Sequence, residues 1–201
     1  MGVKERKARE KERLKNLILD TSLKIFMQLG VEQTSMRKIA AEIEYSPATL
    51  YLYFKDKDEI FAALQERAFM KFMDKLNEFD FIKDPLGRLK SIAQSYVEFA
   101  IQEPTLYDLI FTVENKHHSN NPYEQECYQL IRQTLSASMD KNLIKRMNVD
   151  EATLIFWSFL HGMVSLHSKK RLEFLKNTLD MREKLNQSVD RALEVFKPSY
   201  F

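Results

Sequence analysis

The side chains best suited to bind another molecule are concentrated between Thr34 and Lys57. This stretch combines the guanidinium of Arg37 with ammonium, hydroxyl, phenol and small apolar groups. Cationic and hydroxyl groups bind phosphates, while hydroxyl and apolar groups can read base edges and thymine methyls in the major groove. Such a mixture on one exposed face predicts a surface for double-stranded DNA.

Two short helices joined by a tight corner are predicted to position these side chains. Met36, Ile39 and Ile43 recur at i, i+3 and i+7, which predicts a supporting helix with one apolar face. Ser46 and Pro47 follow a polar break and supply an N-cap hydroxyl and a proline at the first helical position. A second helix is therefore predicted to begin at Pro47.

The second helix is expected to present a DNA-facing side. Leu50 and Phe54 share one face at i, i+4 and are predicted to point inward. The residues predicted to position the protein on phosphates are Thr34, Ser46, Tyr53 and Lys57. The residues predicted to touch bases or their methyls are Ala48, Thr49, Tyr51 and Leu52, together with Arg37 from the supporting helix. Pro47, at the start of the second helix, belongs to the same predicted DNA-binding set.

This segment resembles the helix-turn-helix of the tetracycline-repressor (TetR) family of bacterial transcription regulators. The family pattern Ser-x-x-Thr-Leu-Tyr-x-Tyr-Phe is matched from Ser46 to Phe54, followed by Lys57. Glu44 and Ala48 depart from it, since the family often has glycine at both positions. A left-handed residue at Glu44 costs roughly 1 kcal/mol, so we expect mild strain or a different turn there.

Composition predicts an all-α protein. The 201 residues are 44% hydrophobic and include only four glycines and five prolines, which favours about nine helices over strands. The resemblance implies a three-helix DNA-binding unit over residues 1–57 and a helical effector-binding and dimerisation domain over 58–201. One cysteine, a charged N-terminus and no long apolar run predict a cytoplasmic protein with no membrane span.

The first helix is predicted over Lys4 to Leu29, with Gly30 at its end. Residues 4–15 carry seven basic and three acidic side chains, a net charge of +4. Two interpretations stay open for this basic arm. It is either a solvated helical extension or a segment that lies along DNA phosphates.

Six further helices are expected after the helix-turn-helix. Their predicted bounds are about 58–79, 85–102, 105–113, 123–145, 150–168 and 172–197, with a loop over 114–122. The helix over 58–79 follows the DNA-binding unit directly and is predicted to connect it mechanically to the remaining chain.

The eighth helix is apolar on nearly all sides. It must therefore be covered on both faces, and a second copy pairing the eighth and ninth helices, about 150–197, would cover the outer one. TetR-like proteins dimerise in this way. Trp157, His161 and Gly162 also resemble a Trp, His-Gly signature of one C-terminal subgroup of that family.

An effector site is suggested mainly by the resemblance, because ordinary core packing explains each aromatic residue separately. The side chains expected to line a site for a small apolar or aromatic effector are Tyr96, Phe99, Tyr107, Phe111, Phe156, Phe159, His161 and Met163. His117, His118 and His167 form no i, i+4 pair with a further ligand, so no metal, cofactor or catalytic residue is predicted.

These features favour a homodimeric transcription factor, a ligand-responsive repressor that binds a palindromic operator. The alternative is a helical module that binds a small molecule or protein and has lost DNA binding. Arg37, Lys38 and the basic arm argue against that alternative. A helical enzyme is the third possibility, but no nucleophile and base occur together.

Overall fold

The protein folds into α-helices throughout the part of the chain that can be described. The structure is a computed structural model in which residues 2–113, 122–173 and 180–198 are described, Val3 for its backbone only. The helices in these ranges are α1 (Val3–Leu29), α2 (Met36–Glu42), α3 (Pro47–Tyr51), α4 (Lys57–Asn77), α5 (Pro85–Gln102), α6 (Pro104–Phe111), α7 (Pro122–Asp140), α8 (Val149–Ser168) and α9 (Met181–Phe196). No strand occurs in them, and the predicted all-α fold class is confirmed.

The first compact unit contains the described parts of Met1–Ala68 and Leu109–Ser119. In it α1 packs on α2 and α2 on α3, around buried side chains such as Ile18, Ile39 and Leu50, none of which is accessible to solvent. Phe26 of α1 meets Phe61 of α4 edge to face at a centroid distance of 5.9 Å. This core holds the two short helices at fixed positions on α1.

The second compact unit contains the described parts of Phe69–Asp108 and Asn120–Phe201. Helix α5 is its centre, because it packs on α7, α8 and α9, and α7 packs on α8 as well. The inward residues Leu89, Phe99, Leu135 and Leu160 are each 0% exposed. Within the described ranges, no helix is both long and apolar enough to cross a membrane.

The chain passes from the first unit to the second inside α4, between Ala68 and Phe69. The predicted boundary after residue 57 instead coincides with the start of α4. A helix that begins in one core and ends in another carries no loop that would mark the change in sequence. The division into 1–57 and 58–201 therefore stays a prediction about function, while the packing units divide eleven residues later.

Two predicted helix bounds were wrong. Helix α7 ends at Asp140 rather than near 145, because Asn142 takes the left-handed conformation (φ 54°) and the amide of Leu143 donates back to the carbonyl of Ser138 over 2.9 Å. Helix α9 begins at Met181 rather than at 172, where Leu172 is in a turn. The Asp180 carboxylate caps α9 by accepting from the amide of Arg182 at 3.2 Å. The predicted loop over 114–122, with His117 and His118, lies almost wholly outside the described residues.

Candidate DNA-binding face and effector site

Helix α3 is a short helix with one buried and one exposed side. The Ser46 hydroxyl caps it by accepting from the amide of Thr49 at 3.2 Å, and Pro47 occupies the first turn. Leu50 is 0% exposed and Phe54 3%, so both are anchored in the first unit. The N-cap and the two anchors fix which side of α3 faces solvent.

The solvent side of α3 carries large side chains that are poorly suited to water. Tyr51 is 56% exposed and Leu52 79% exposed, and Ser46, Pro47 and Ala48 are exposed beside them. Two bulky exposed residues on so short a helix are typical of a binding surface. Thr49 and Tyr53 are half-buried, and the hydroxyls of Thr49 and Ser46 lie 2.9 Å apart in one hydrogen bond.

Helix α2 supports α3 and adds positive charge. Ser35 caps α2 by accepting from the amide of Lys38 at 3.3 Å, while Met36 and Ile39 are buried. Arg37 and Lys38 are exposed on the opposite side. The predicted amphipathic supporting helix is therefore present, with Lys38 as a second exposed cation that the predicted DNA-binding set omitted.

Thr34 and Lys57 do not lie on this exposed face. Thr34 is only 4% exposed, and its hydroxyl donates to the carbonyl of Gly30 at 2.8 Å. The Lys57 ammonium donates to the carbonyls of Val31 and Glu32 at 2.9 and 3.3 Å. Both side chains tie down the loop that leads into α2, an arrangement that a sequence motif cannot distinguish from phosphate contact. Their predicted role on phosphates stays untested.

The corner between α2 and α3 depends on a strained residue. Glu44 has φ 60°, and it occupies the position after the helix cap where glycine is preferred. Its amide donates to the carbonyl of Ala41 at 3.2 Å, and that of Tyr45 donates to the carbonyl of Ala40 at 2.9 Å. These are the two hydrogen bonds of a Schellman cap. Tyr45 is 45% exposed beside α3, a phenol at the face that the predicted set also omitted.

A hydrogen-bonded chain of aromatic side chains lies inside the second unit. Tyr96 of α5 donates to the hydroxyl of Tyr107 of α6 at 3.4 Å. The Tyr107 hydroxyl lies 2.9 Å from Nδ1 of His161 of α8, and the Tyr107 ring stacks on the imidazole ring. Trp157 hydrogen-bonds Tyr96 from one turn earlier in α8. Three of the eight predicted effector residues are thus joined in one polar cluster.

Burial keeps this cluster neutral. It raises the pKa of Tyr96 far above its ordinary value and raises the pKa of Tyr107 to about 12, so both phenols stay protonated. Burial also lowers the pKa of His161, which favours the uncharged imidazole. If Tyr96 donates to Tyr107, Tyr107 is left to donate to Nδ1 of His161, and the ring proton belongs on Nε2. The cluster can therefore exchange hydrogen bonds but carries no charge.

The other predicted effector residues are distributed more widely. Phe99 joins the cluster through Phe72, whose ring lies 5.0 Å from Phe99 and 5.7 Å from Tyr96. Phe156 instead faces Phe196 of α9 at 6.4 Å. Phe159 and Met163 are half-buried on α8, and Phe111 belongs to the first unit. Phe72 was not predicted as part of this site, because its spacing among the apolar residues of α4 is the same as that of any core residue.

The described residues offer little to metal binding or nucleophilic chemistry. In the ranges that the structure describes, no group of three or more His, Cys, Asp or Glu residues could hold a metal ion. The buried Cys127 thiol donates to the sulfur of Met73 at 3.1 Å, and burial raises the pKa of Cys127 to about 12. Such a thiol is a poor nucleophile at neutral pH.

Comparison with known proteins places two family models along the chain. Residues 18–64 match the N-terminal domain described as "Bacterial regulatory proteins, tetR family", and residues 89–196 match a "Tetracyclin repressor-like, C-terminal domain". The second match alone covers more than half of the 201 residues. The first begins at Ile18, so the basic arm lies outside it.

Three relatives are distant in sequence but similar to this chain over nearly their whole length. The HTH-type transcriptional regulator AcrR of Shigella flexneri is 23% identical over 200 residues, which is 93% of this chain and 91% of that protein. The structure of a tetR-family regulatory protein from Rhodococcus RHA1 has a TM-score of 0.73 at 18% identity, covering 92% of this chain and 98% of its own. A structure of AibR "in complex with isovaleryl coenzyme A and operator DNA" has a TM-score of 0.70 at 19% identity, covering 92% and 99%.

The family assignment agrees with the geometry. The first unit contains the capped α2, the left-handed corner and the exposed α3 of a helix-turn-helix, and most of the C-terminal match over residues 89–196 lies in the second unit. The resemblance inferred from Ser46 to Phe54 is confirmed. The chain belongs to the tetR family of bacterial regulatory proteins and is a DNA-binding transcriptional regulator.

Proposed function

We propose that the protein is a homodimeric, ligand-responsive repressor that binds a palindromic operator with one α3 per half-site and works in the cytoplasm. The observation that carries the proposal is the exposed side of α3, where Tyr51 and Leu52 stand beside small and hydroxyl groups. In the major groove the phenol can hydrogen-bond a base edge and the leucine can meet a thymine methyl. The leucine side chain gains no comparable interaction from water.

Charge around α3 would position the protein on the duplex. Arg37 and Lys38 are exposed on α2, and the Ser46 hydroxyl is exposed at the start of α3. Such groups reach phosphate oxygens and fix the register without reading sequence. We assign Thr34 and Lys57 an indirect part, because their hydrogen bonds to the Gly30, Val31 and Glu32 carbonyls set the entry into α2.

A second copy would cover the outer side of α8. Leu154, Ile155 and Leu166 are 67%, 47% and 48% exposed, and Val195 of α9 is 75% exposed. A helix with apolar groups exposed on one side and buried on the other is favourable only when both sides are covered. Two-fold pairing of α8 and α9 would bury the same surface of each protomer. The two α3 helices would then be available to the two halves of a palindrome.

The neutral cluster at Tyr96, Tyr107 and His161 is our candidate for effector recognition. Phe72 and Phe99 surround it with aromatic carbon, and its uncharged donors and acceptors suit a small apolar or aromatic molecule with one neutral polar group. The AibR complex contains both a small molecule and operator DNA, and it has the same fold. Effector binding would change the position of α4, which is continuous between the two units.

The proposal is tested by electrophoretic mobility shift with the DNA upstream of the coding region. We expect wild-type protein to retard this fragment in preference to unrelated DNA. Tyr51→Ala removes the exposed phenol and should weaken operator binding by about tenfold or more, the scale of one good base contact. Phe81→Ala, a matched aromatic truncation at a 78% exposed site outside the face, should bind as wild type does.

The outcome also decides the alternative class of function. If wild-type protein retards no duplex even at low salt, the α3 face does not bind DNA and a helical binding module without DNA binding is the better description. A small molecule that raises the melting temperature and releases the operator would support the effector assignment. Tyr107→Phe should reduce that thermal shift, because it removes the central hydroxyl of the cluster.

A further inference from the structure

The first part of α1 extends from the fold as an exposed helix. Residues 4–13 and Lys15 are all exposed, and only Leu14 is half-buried before the buried residues begin at Ile18. The helix is continuous from Val3 to Leu29. The family match begins at residue 18, so membership of the family assigns no role to this basic arm.

The basic side chains of the arm form two separate rows. Lys4, Lys7, Lys11 and Lys15 recur at spacings of three and four, so they share one face of α1. The same spacing continues into Ile18, Ser22 and Ile25, which are 0%, 0% and 6% exposed. The lysine row is therefore in line with the face that α1 turns towards the interior of the first unit.

Arg6, Arg9 and Arg13 form the second row on the other side of the helix. Its spacing continues into Asp20 and Lys24, which are exposed. Arg6 pairs with Glu10 at 3.8 Å, an i, i+4 contact along the helix. In the described part of the chain, no ion pair or side-chain hydrogen bond involves Lys4, Lys7, Lys11 or Lys15.

The lysine row has the properties of a phosphate-binding surface. Its four ammonium groups make no internal pair, whereas the acids of the arm are turned to other partners: Glu5 accepts from the Gly2 amide at 3.0 Å, and Glu12 accepts from Asn16 at 3.4 Å. From Lys4 to Lys15 the helix rises about 16 Å, the axial length of roughly five base pairs. A row of like charge of this length repels itself unless polyanion lies along it.

We propose that the lysine row binds the phosphate backbone of the duplex outside the half-site read by α3. This inference rests on the proposed DNA-binding function and extends it to a second, sequence-independent contact. Lysine is a compact point charge on a flexible stem, so it binds phosphates without reading bases. The row adds affinity for any duplex long enough to reach it, and α3 retains the sequence preference.

The experiment compares two variants that lose the same charge from opposite faces. K4Q/K7Q/K11Q removes three lysines of the row, and R6Q/R9Q/R13Q removes three arginines from the other row. Glutamine has nearly the helix propensity of lysine and arginine, so helicity by circular dichroism should be unchanged. Affinity is measured by fluorescence anisotropy against salt concentration, with an operator carrying ten flanking base pairs on each side and with a trimmed operator.

For the lysine variant we expect the slope of log K against log salt to fall by up to about 2.7 per protomer, or 0.9 for each lost phosphate contact. Between about 50 and 200 mM salt this corresponds to a roughly 40-fold smaller loss of affinity per protomer. The arginine variant should keep the wild-type slope. The difference in slope between the lysine variant and the wild type should vanish on the trimmed operator. It should be the same for the long operator and for unrelated DNA of the same length.

Equal slope changes in the two variants would overturn the proposal, because they would show only a general charge effect. An unchanged slope in the lysine variant would overturn it as well. The proposal would also be overturned if the lysine variant bound DNA as the wild type does but no longer bound vesicles of anionic phosphatidylglycerol. That result would assign the row to a membrane surface. Failure of the wild type to bind any duplex would instead refute the DNA-binding function itself.

Discussion

The corner residue Glu44 provides a direct test of the backbone geometry that sets α3. With φ 60° it is a non-glycine residue in the left-handed region, at the C-terminal end of α2. Such a residue costs about 1–2 kcal/mol because its Cβ approaches the following carbonyl oxygen. Glycine removes that strain but loses more backbone entropy on folding, by roughly 0.5–1 kcal/mol. We therefore expect Glu44→Gly to raise the free energy of unfolding by up to about 1.5 kcal/mol.

Two controls separate the backbone from the side chain. Glu44→Gln keeps the Cβ and removes the charge, and it should leave stability unchanged because the side chain is exposed. Glu42→Gly lies two residues earlier, inside α2, where glycine should destabilise by up to about 1 kcal/mol. The same substitution is thus expected to have opposite signs at positions 42 and 44.

Urea unfolding followed by circular dichroism measures these differences as shifts of the midpoint at constant slope. In a chain of this size, a gain of 1 kcal/mol corresponds to a rise of roughly 2–4 °C in melting temperature. If Glu44→Gly were less stable than Glu44→Gln, the Schellman cap at this corner and the strain assigned to it would be refuted.

Three further predictions concern other parts of the fold. Lys57→Met loses the hydrogen bonds to the Val31 and Glu32 carbonyls and should lower the free energy of unfolding in urea by about 1–2 kcal/mol. Lys55→Met, at an exposed neighbouring site, should lower it little, and equal losses in the two variants would contradict the structural role of Lys57. We expect Leu154→Lys with Ile155→Lys to convert the proposed homodimer into a monomer in analytical ultracentrifugation, whereas Phe81→Lys should leave it dimeric. A dimeric double variant would exclude the exposed side of α8 from the proposed interface. Burial lowers the pKa of His161 below its value in the unfolded chain, so on acidification the unfolded state takes up the proton first and the free energy of unfolding should fall as pH drops below about 6.5. The free energy of unfolding of His161→Gln should fall less over the same pH range, and parallel curves for the two proteins would contradict this.

The elements that position the DNA-binding face could be predicted because local signals determine them. Ser46 and Pro47 start α3, the spacing of Leu50 and Phe54 sets its buried side, and Gly30 ends α1 with φ 82°. At Glu44, where the family often has glycine, the two expected outcomes were a strained left-handed residue and a different turn, and the structure has the left-handed residue. In each case the cause lies within a few residues of its effect.

The parts that could not be predicted depend on distant contacts. Lys57 reaches carbonyls 25 and 26 residues away, and Tyr96 and Tyr107 meet His161 from 65 and 54 residues away. Spacing along one helix gives no information about such pairs. The end of α7 was misplaced for a different reason, since Asn142 stops the helix with a left-handed residue where the pattern of leucines and lysines continues.

Hydroxyl-radical footprinting of the upstream DNA tests the central claim, that the exposed side of α3 reads a two-fold operator, most directly. We expect wild-type protein to protect two patches on one face of the duplex, centred about one helical turn or 34 Å apart. Tyr51→Ala should weaken both patches at the lowest protein concentration at which wild type protects fully. An absence of protection by wild type, or the same two patches with Tyr51→Ala and Arg37→Ala, would contradict the assignment of this face.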